Sequence, residues 1–273
     1  MHNRYWYIVI LFEYRVRIMG LENWSGRSAV VTGAGSGFGE AITRLLAKIG
    51  MKIIAVDINF EVVQKVADSL KNSGMSGEIH TMKCDVADET AVKNMYAQAA
   101  NRFGGVDVSV QCAGLSKASP LLSGDANDWR IMQEVNVLGT LFCCREAVNL
   151  MKKNGVDDGV LINLVSLAAH NLTPISDLHF YGATKVMLKA IQEGFRQELR
   201  EINSNIRISG ISPGQGNTGF YPSMFGGDVS KSTVPLLQKQ LEAEDIAHVV
   251  EYILNTPKHV QIHDVLLRPV AQP

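Results

Sequence analysis

A tyrosine and a lysine lie four residues apart in the segment YGATK, as Tyr181 and Lys185. At this spacing both side chains fall on one face of a helix. A tyrosine hydroxyl has a pKa of about 10 and is a poor base at neutral pH, but a neighbouring ammonium favours the phenolate and lowers that pKa. A phenol tuned in this way could take a proton from an alcohol or return one to a carbonyl.

A serine, Ser166, precedes Tyr181 by fifteen residues and lies at the end of a predicted strand. Its hydroxyl could hydrogen-bond the reacting oxygen and position it. Each of the three residues also has a simpler interpretation: an amphipathic helix with an exposed Lys185, and a strand-end serine that makes a turn bond. Their combination with the glycine-rich segment described next favours the catalytic interpretation.

The glycine-rich segment TGAGSGFG covers residues 32–39, with glycines at Gly33, Gly37 and Gly39. Glycines let the backbone turn tightly and approach a ligand, and the following helix N-terminus suits a pyrophosphate. A structural turn is the alternative. Because the segment lies between a predicted strand and a predicted helix, near the start of an alternating pattern, it predicts a dinucleotide site, to which we also assign Ser36 and Phe38.

An aspartate, Asp57, ends the second predicted strand. A carboxylate there can accept hydrogen bonds from the adenosine ribose hydroxyls and would repel a 2′-phosphate. Neither the glycine-rich segment nor the residues directly after Asp57 supply an arginine or lysine. NAD is therefore favoured, with NADP possible; the alternative is that Asp57 only caps the segment that follows.

Short β-rich runs alternate with helical patterns from Ser28 onward. The runs are 28–33, 52–58, 80–86, 106–114, 159–166, 206–214 and 261–267, and the helical patterns cover 41–49, 60–73, 88–103, 128–152, 181–203 and 243–256. Nearly continuous apolar runs are expected for strands that are covered on both faces. The pattern predicts an α/β fold with one Rossmann-type, doubly wound parallel sheet of seven strands and helices on both faces.

One long loop is expected at about 214–236, rich in glycine, serine, proline and aromatic residues. A loop of this length in a compact domain is usually a lid or a binding loop. Its apolar residues could line a substrate pocket or could be ordinary packing. They are Phe220, Tyr221, Met224 and Phe225.

Composition excludes several classes of function. The chain of 273 residues has 26 basic and 27 acidic residues, so no overall basic field favours nucleic acid or an anionic membrane. The four cysteines, none in a CxxC pair, and the seven histidines show no zinc-type spacing. We therefore expect no metal site and reduced, mostly buried thiols, as in a cytoplasmic protein.

The first residues form an apolar run, YWYIVILF, at positions 5–12. Eight residues are too few for a membrane helix, which needs about 20. Residues 1–23 are interpreted as an N-terminal extension of doubtful role, which contains a second possible start at Met19, and residues 24–273 as one domain. A targeting segment is the alternative.

The motifs together resemble the classical short-chain dehydrogenase/reductase family. Its cofactor pattern TGxxxGxG matches residues 32–39, and its catalytic asparagine, serine, tyrosine and lysine fall on Asn136, Ser166, Tyr181 and Lys185. The resemblance implies that Asn136 anchors a water linking Lys185 to solvent. It also implies further cofactor contacts, at Asp85, Val86, Cys112, Ala113, Gly114, Pro213, Gly214 and Thr218, and a substrate contact at Leu167.

A narrower similarity rests on segments such as VNVLGT (135–140), HFYGATK (179–185) and TPKHVQIHDVLLRPVAQ (256–272). They resemble the insect farnesol dehydrogenase-like group and the vertebrate dehydrogenase/reductase family member 11 group. The implied substrates are apolar alcohols or carbonyls, either terpenoids such as farnesol or ketosteroids and general carbonyls. The family also implies a homodimer or homotetramer through the helices at 128–152 and 181–203.

Two departures from the family pattern are expected to matter. The family's NNAG is QCAG here, with Gln111 and Cys112, and Cys112 cannot donate an amide hydrogen bond. Asp57 is the second departure, because the insect group resembles NADP-binding enzymes with a basic residue near this point; a switch of cofactor preference is the expectation. The leading hypothesis is thus an NAD(P)-dependent dehydrogenase or carbonyl reductase, and the hypothesis of another class is a non-catalytic dinucleotide-binding sensor or scaffold.

Overall fold

Seven parallel strands form one sheet in the computed structural model, which describes residues 21–75, 77–227 and 235–273. The strands are β1 (Ser28–Thr32), β2 (Lys52–Asp57), β3 (Glu78–Lys83), β4 (Val108–Gln111), β5 (Val160–Leu164), β6 (Arg207–Pro213) and β7 (Asp264–Leu267). Their order across the sheet is β3-β2-β1-β4-β5-β6-β7, and every neighbouring pair is parallel. The predicted Rossmann-type α/β sheet is confirmed.

The helices alternate with the strands and cover both faces of the sheet. They are α1 (Gly37–Ile49), α2 (Phe60–Asn72), α3 (Glu89–Phe103), α4 (Ala126–Met132), α5 (Thr140–Lys153), α6 (His179–Glu201), α7 (Phe220–Met224) and α8 (Ala243–Asn255). A π-helical segment, Gln133–Gly139, joins α4 to α5. Short 3₁₀ turns occur at Leu21–Trp24, Leu167–Ala169 and Ser176–Leu178.

Local sequence explains where several helices begin and end. Asn59, Asp88 and Asp125 each accept a hydrogen bond from a backbone N–H of the first helical turn, as side-chain N-caps do. Gly50 and Gly104 end α1 and α3 in the left-handed conformation, which costs glycine little.

Burial is greatest in the central strands. Every residue of β1, β4, β5 and β6 is buried, because each strand has a helical layer on both faces. One layer includes α1 and α8, and the other includes α3 and α5. The order of strands reverses at β1, which lies between β2 and β4; in such sheets a crevice opens at this point, beyond the carboxyl ends of the strands.

Some boundaries differ from the prediction. β3 covers Glu78–Lys83 rather than 80–86, because this edge strand is only partly buried and its apolar signal is weak. The predicted loop at 214–236 contains the short helix α7, and its residues 228–234 lie outside the described part of the chain.

The first described residues form the 3₁₀ turn Leu21–Trp24, which is attached to α8 through Trp24. Trp24 is buried, and its indole N–H donates to the carbonyl oxygen of Leu254 at 3.0 Å. The apolar run at 5–12 and most of the predicted extension 1–23 lie outside the described residues. Within the described ranges, none of the helices combines the length and the apolar character that crossing a bilayer requires.

Candidate active site

One cavity of about 880 Å³ lies at the carboxyl ends of the strands. Segments that are far apart in the chain line it: the loop after β1, the ends of β2, β4 and β5, the loop after β6, and α6 and α7. Most of the predicted site residues lie in its wall. These are Gly33, Ser36, Gly37, Phe38, Gly39, Asp57, Val86, Cys112, Ala113, Gly114, Ser166, Leu167, Tyr181, Lys185, Pro213, Gly214, Thr218, Phe220 and Tyr221.

Tyr181 lies in the first turns of α6 and is buried. Burial raises the pKa of its hydroxyl, a hydrogen bond with Ser166 lowers it, and Tyr221 adds to the rise. This direction is opposite to the predicted lowering by Lys185, because loss of hydration is the largest effect on a buried phenol. The ammonium nitrogen of Lys185 is 5.7 Å from the centroid of the Tyr181 ring.

Lys185 lies one turn further along α6 and is only 4% exposed. Its Nζ donates to the carbonyl oxygen of Leu164, at the end of β5, at 2.8 Å. Burial lowers the pKa of Lys185 to about 8, while Cys112 raises it. Such a lysine titrates closer to neutral pH than an ordinary surface lysine does.

Asn136 lies in the π-helical segment and is fully buried. Its Oδ1 accepts from the backbone N–H of Leu115 at 2.9 Å, and its Nδ2 donates to the carbonyl of Leu115 at 2.8 Å and to Thr184 Oγ1 at 3.2 Å. Single π-helical turns are frequent at functional sites. The side chain of Asn136 joins the loop after β4 to α6, and its role as anchor of a water stays a prediction.

The glycine-rich segment has the shape of a cradle for a dinucleotide. Gly33 has a φ of +63°, and a Cβ there would lie 2.9 Å from the backbone nitrogen of Ala113. A Cβ on Gly39 would collide with the carbonyl group of Gly33, so only glycine allows this close approach of strand and helix. The N-terminus of α1 opens into the cavity beside Ser36 and Gly37, and the residues present therefore fit a pyrophosphate.

Asp57 lies beside this cradle, at the end of β2. Its carboxylate accepts hydrogen bonds from Gly35 N at 3.1 Å and from Asn59 N at 3.0 Å. The carboxylate therefore caps the following segment, as the alternative interpretation proposed, and it also lies in the wall of the cavity. Its position is compatible with both interpretations.

Gln111, the first residue of the QCAG segment, makes hydrogen bonds that link two neighbouring strands. Gln111 is 2% exposed, and in the amide orientation that satisfies both of its polar atoms, the nitrogen donates to Ile162 O and Asn163 Oδ1, each at 2.9 Å. The oxygen accepts from Ser109 Oγ at 2.6 Å. This side chain therefore links β4 to β5, while burial raises the pKa of the Cys112 thiol in the cavity wall.

Aromatic and aliphatic side chains line the part of the cavity around Tyr181, and the sequence patterns indicated only some of them. The rings of Tyr181 and Phe220 lie 5.4 Å apart and those of Phe220 and Tyr221 5.7 Å apart. Additional wall residues were missed: Leu115, Leu164, Ala168, Asn171, Leu172, Thr173, Pro174, Ile175, Leu178, Pro235 and Leu237. Most of these residues lie between Ser166 and Tyr181 in the sequence. Their position between two candidate catalytic residues is the signal that could have identified them.

Four predicted residues lie outside the cavity wall: Asp85, Asn136, Met224 and Phe225. Asp85 is exposed and accepts from the N–H of Ala87 at 3.0 Å. Met224 and Phe225 pack in the apolar cluster around Tyr181, because the last turn of α7 faces the protein interior. Asn136 lies behind the wall and is hydrogen-bonded to Leu115 and Thr184.

Comparison with known proteins agrees with this geometry. The family described as short chain dehydrogenase matches residues 27–225. Dehydrogenase/reductase SDR family member 11 from Gallus gallus is 40% identical over 253 residues, covering 92% of this chain and 99% of that protein. Farnesol dehydrogenase from Aedes aegypti is 35% identical over 253 residues, with the same coverage.

A solved structure shows the same architecture. The closed form of a serine dehydrogenase complexed with NADP⁺ is 29% identical and superposes with a TM-score of 0.78, covering 90% of this chain and 96% of that one. Family, fold and the arrangement of the cavity agree. The chain therefore belongs to the short-chain dehydrogenase/reductase family and is an NAD(P)-dependent oxidoreductase that acts on CH–OH groups.

Proposed function

We propose that this enzyme interconverts an apolar alcohol, such as farnesol or another terpenoid, and its carbonyl, with Asn136, Ser166, Tyr181 and Lys185 as the catalytic group. The observation that carries the proposal is that Ser166, Tyr181 and the buried Lys185 line one cavity, with Lys185 one helical turn after Tyr181 and Ser166 placed to lower the pKa of the Tyr181 hydroxyl. When bound, the nicotinamide cofactor supplies the hydride chemistry.

The chain's own residues hold the cofactor and move the proton. The glycines of residues 33–39 would hold the pyrophosphate, Asp57 the ribose hydroxyls, Asp85 and Val86 the adenine, and Pro213, Gly214 and Thr218 the nicotinamide. The wall residues Cys112, Ala113 and Gly114 would line the same path. The neutral phenol of Tyr181 can donate its proton to a carbonyl oxygen, and Ser166 orients that oxygen. In the oxidising direction Tyr181 must first release its own proton, for which the amine of Lys185, with a pKa of about 8, is a neighbouring acceptor, before it takes the proton of the substrate hydroxyl.

Apolar wall residues support the terpenoid substrate. Leu167, Phe220 and Tyr221 lie in the wall beside Tyr181, together with the residues that the structure added, and such surfaces favour apolar ligands. The 35% identical relative from Aedes aegypti is a farnesol dehydrogenase. A ketosteroid or another carbonyl would meet the same wall, so a panel of farnesol, retinol, steroids and short alcohols, run with NAD and with NADP, distinguishes these substrates.

The variant Tyr181→Phe tests the catalytic assignment. We expect a fall in turnover of at least about a hundredfold, the contribution usual for a positioned acid or base, while the Kd for the dinucleotide stays within a factor of three of wild type. Turnover equal to wild type would remove the assigned role. A wild-type protein that binds dinucleotide but oxidises no member of the panel would favour the sensor hypothesis.

The oligomeric state is part of the same proposal. Val186 and Met187 on α6 and Leu138 in the π-helical segment are exposed; they lie in the sequence ranges 181–203 and 128–152, where the family resemblance places a homodimer or homotetramer interface. Light scattering on the purified enzyme should give twice or four times the chain mass of 29.9 kDa. A cytoplasmic location stays a prediction.

A further inference from the structure

Residues 235–241, which begin at the end of the predicted loop, lie beside the loop that follows β6. Leu241 N donates to the carbonyl oxygen of Gln215 at 2.9 Å, and Asn217 N donates to the carbonyl oxygen of Leu241 at 2.8 Å. We call residues 235–241 the return segment. These backbone bonds hold its far end against the chain directly after Pro213 and Gly214.

The side chain of Gln215 holds the near end of the return segment. Gln215 is 7% exposed; its Oε1 accepts from Leu237 N at 2.9 Å, and its Nε2 donates to Pro235 O at 2.7 Å. Its own backbone nitrogen donates to Gln272 Oε1 at 2.9 Å. One amide therefore uses its donor and its acceptor on two backbone groups that lie two residues apart.

This contact matters for the cavity because Pro235 and Leu237 are part of its wall, together with Tyr181 and Phe220. A buried amide is tolerated only when it is hydrogen-bonded, so the pairing sets where this stretch of backbone lies. An alanine at position 215 would leave the N–H of Leu237 and the carbonyl of Pro235 without this partner. The apolar wall would then lose its fixed position.

We propose that Gln215 is a positioning residue for the substrate: it fixes the return segment against the loop after β6 and thereby sets the apolar wall that binds the substrate. The inference rests on the proposed function in that the substrate is an apolar alcohol. Gln215 acts through Pro235 and Leu237 and does not move the proton. Its substitution should therefore change substrate affinity more than turnover or dinucleotide affinity.

The first experiment compares Gln215→Ala with wild type and with Gln197→Ala, a glutamine on the exposed face of α6 that contacts Glu193. For Q215A we expect the KM and the equilibrium Kd for farnesol to rise about tenfold, as for the loss of one to two hydrogen bonds. We expect kcat and the Kd for NAD to change less than threefold. Hydrogen exchange at the amide of Leu237 should speed up in Q215A and stay unchanged in Q197A.

The second experiment uses Gln215→Glu, in which protonation restores the missing donor. A carboxylate would face the carbonyl oxygen of Pro235 and repel it, whereas the neutral acid can donate to that oxygen and still accept from Leu237 N. Burial and the facing carbonyl of Pro235 should raise the pKa of a carboxyl at position 215 above the usual glutamate value of about 4.3. The farnesol KM of Q215E, divided by that of wild type at the same pH, should therefore be about ten at pH 8 and smaller at pH 5.5. This ratio cancels the titration of Tyr181 and Lys185.

The outcomes separate the two proposals. If wild type turns over no apolar alcohol, the proposed function fails, while farnesol Kd and Leu237 exchange still decide the role of Gln215. Farnesol affinity within twofold of wild type in Q215A, an equal loss of farnesol and NAD affinity, unchanged Leu237 exchange, or a Q215E ratio raised equally at both pH values would overturn the inference. A selective loss of farnesol affinity, with faster Leu237 exchange, would support it.

Discussion

Tyr181 and Lys185 are buried side by side, and burial favours the neutral form of both. It raises the pKa of the phenol and lowers the pKa of the amine to about 8. Near neutral pH the site thus holds a protonated phenol beside an amine that is close to its titration point. A neutral acid next to a readily titrated base is the state from which general acid–base chemistry proceeds.

The depressed pKa of Lys185 predicts a pH dependence of stability. Between pH about 8 and the usual lysine pKa of 10.5 the unfolded chain binds more protons at this residue than the folded chain does, so stability rises with pH in that window. The cost of burying the charge is fully present below pH 8. Relative to Lys185→Met, the free energy of unfolding of wild type should rise by on the order of 2–3 kcal/mol from pH 8 to 10.5.

Urea unfolding of both proteins at pH 7.5, 9 and 10.5 measures this difference. The subtraction removes the contribution of buried cysteines, which titrate in the same range. Parallel pH profiles for the two proteins would show that Lys185 is not responsible.

Asp57 predicts the cofactor preference. Removing its carboxylate in Asp57→Ala removes the repulsion of a 2′-phosphate, so the ratio of kcat/KM for NADP to that for NAD should rise at least about tenfold, the factor that corresponds to 1.4 kcal/mol. Asp68→Ala, on the exposed side of α2, is the control and should leave the ratio unchanged. A wild-type enzyme that already prefers NADP would show that the carboxylate does not select NAD.

At the scale of elements, the close crossing of β1 and α1 shapes the dinucleotide cradle. Gly33 and Gly39 allow it, since a Cβ on Gly39 would enter the carbonyl group of Gly33. The π-helical segment between α4 and α5 supports the loop after β4, where Asn136 holds both backbone groups of Leu115. The close crossing and the π-helical segment thus both contact the stretch after β4 that lines the cavity.

The variant Gly39→Ala tests whether the glycine-rich segment binds the dinucleotide. The added methyl group forces α1 away from Gly33, so we expect the Kd for NAD to rise at least about tenfold together with a lower melting temperature. Gly194→Ala is the matched control: its Cβ meets no atom within 4 Å in the long helix α6, and it should stabilise the protein by roughly 0.5–1 kcal/mol without changing NAD affinity. Unchanged NAD affinity in G39A would contradict the assignment of the glycine-rich segment to dinucleotide binding.

At the scale of the whole molecule, the doubly covered sheet shields the thiols. Burial raises the pKa of Cys84 to about 11 and that of Cys144 to about 12, and it also raises the pKa of Cys112 and Cys143. Because the thiolate is the reactive form, these cysteines should be inert in the folded enzyme.

Alkylation with iodoacetamide at pH 8, followed by mass spectrometry, checks this. Folded protein should incorporate less than about one label per chain during a time in which the urea-unfolded chain incorporates four, one for each cysteine. Bound NAD should not increase the labelling of Cys112, which lies in the cavity wall. Rapid labelling of all four thiols in the folded protein would contradict the shielding.

The amino-acid sequence by itself determined the alternation of strands and helices, the glycine-rich turn after β1 and the i,i+4 spacing of Tyr181 and Lys185. These features depend on residues close together in the chain, whose periodicity and backbone preferences act locally. The predicted bounds of the edge strand β3 were inaccurate for the same reason. This strand is only partly buried, so its sequence carries little apolar signal.

Only the tertiary structure decided the pKa of Tyr181, the inward turn of Met224 and Phe225, the linking role of Gln111 and the contact of Gln215 with the return segment. Each depends on how much water is removed from a group, or on which distant segments meet at the end of the sheet. Desolvation and long-range hydrogen bonding depend on packing. Packing brings together segments that are distant in the chain, so the residue spacing within one segment does not predict it.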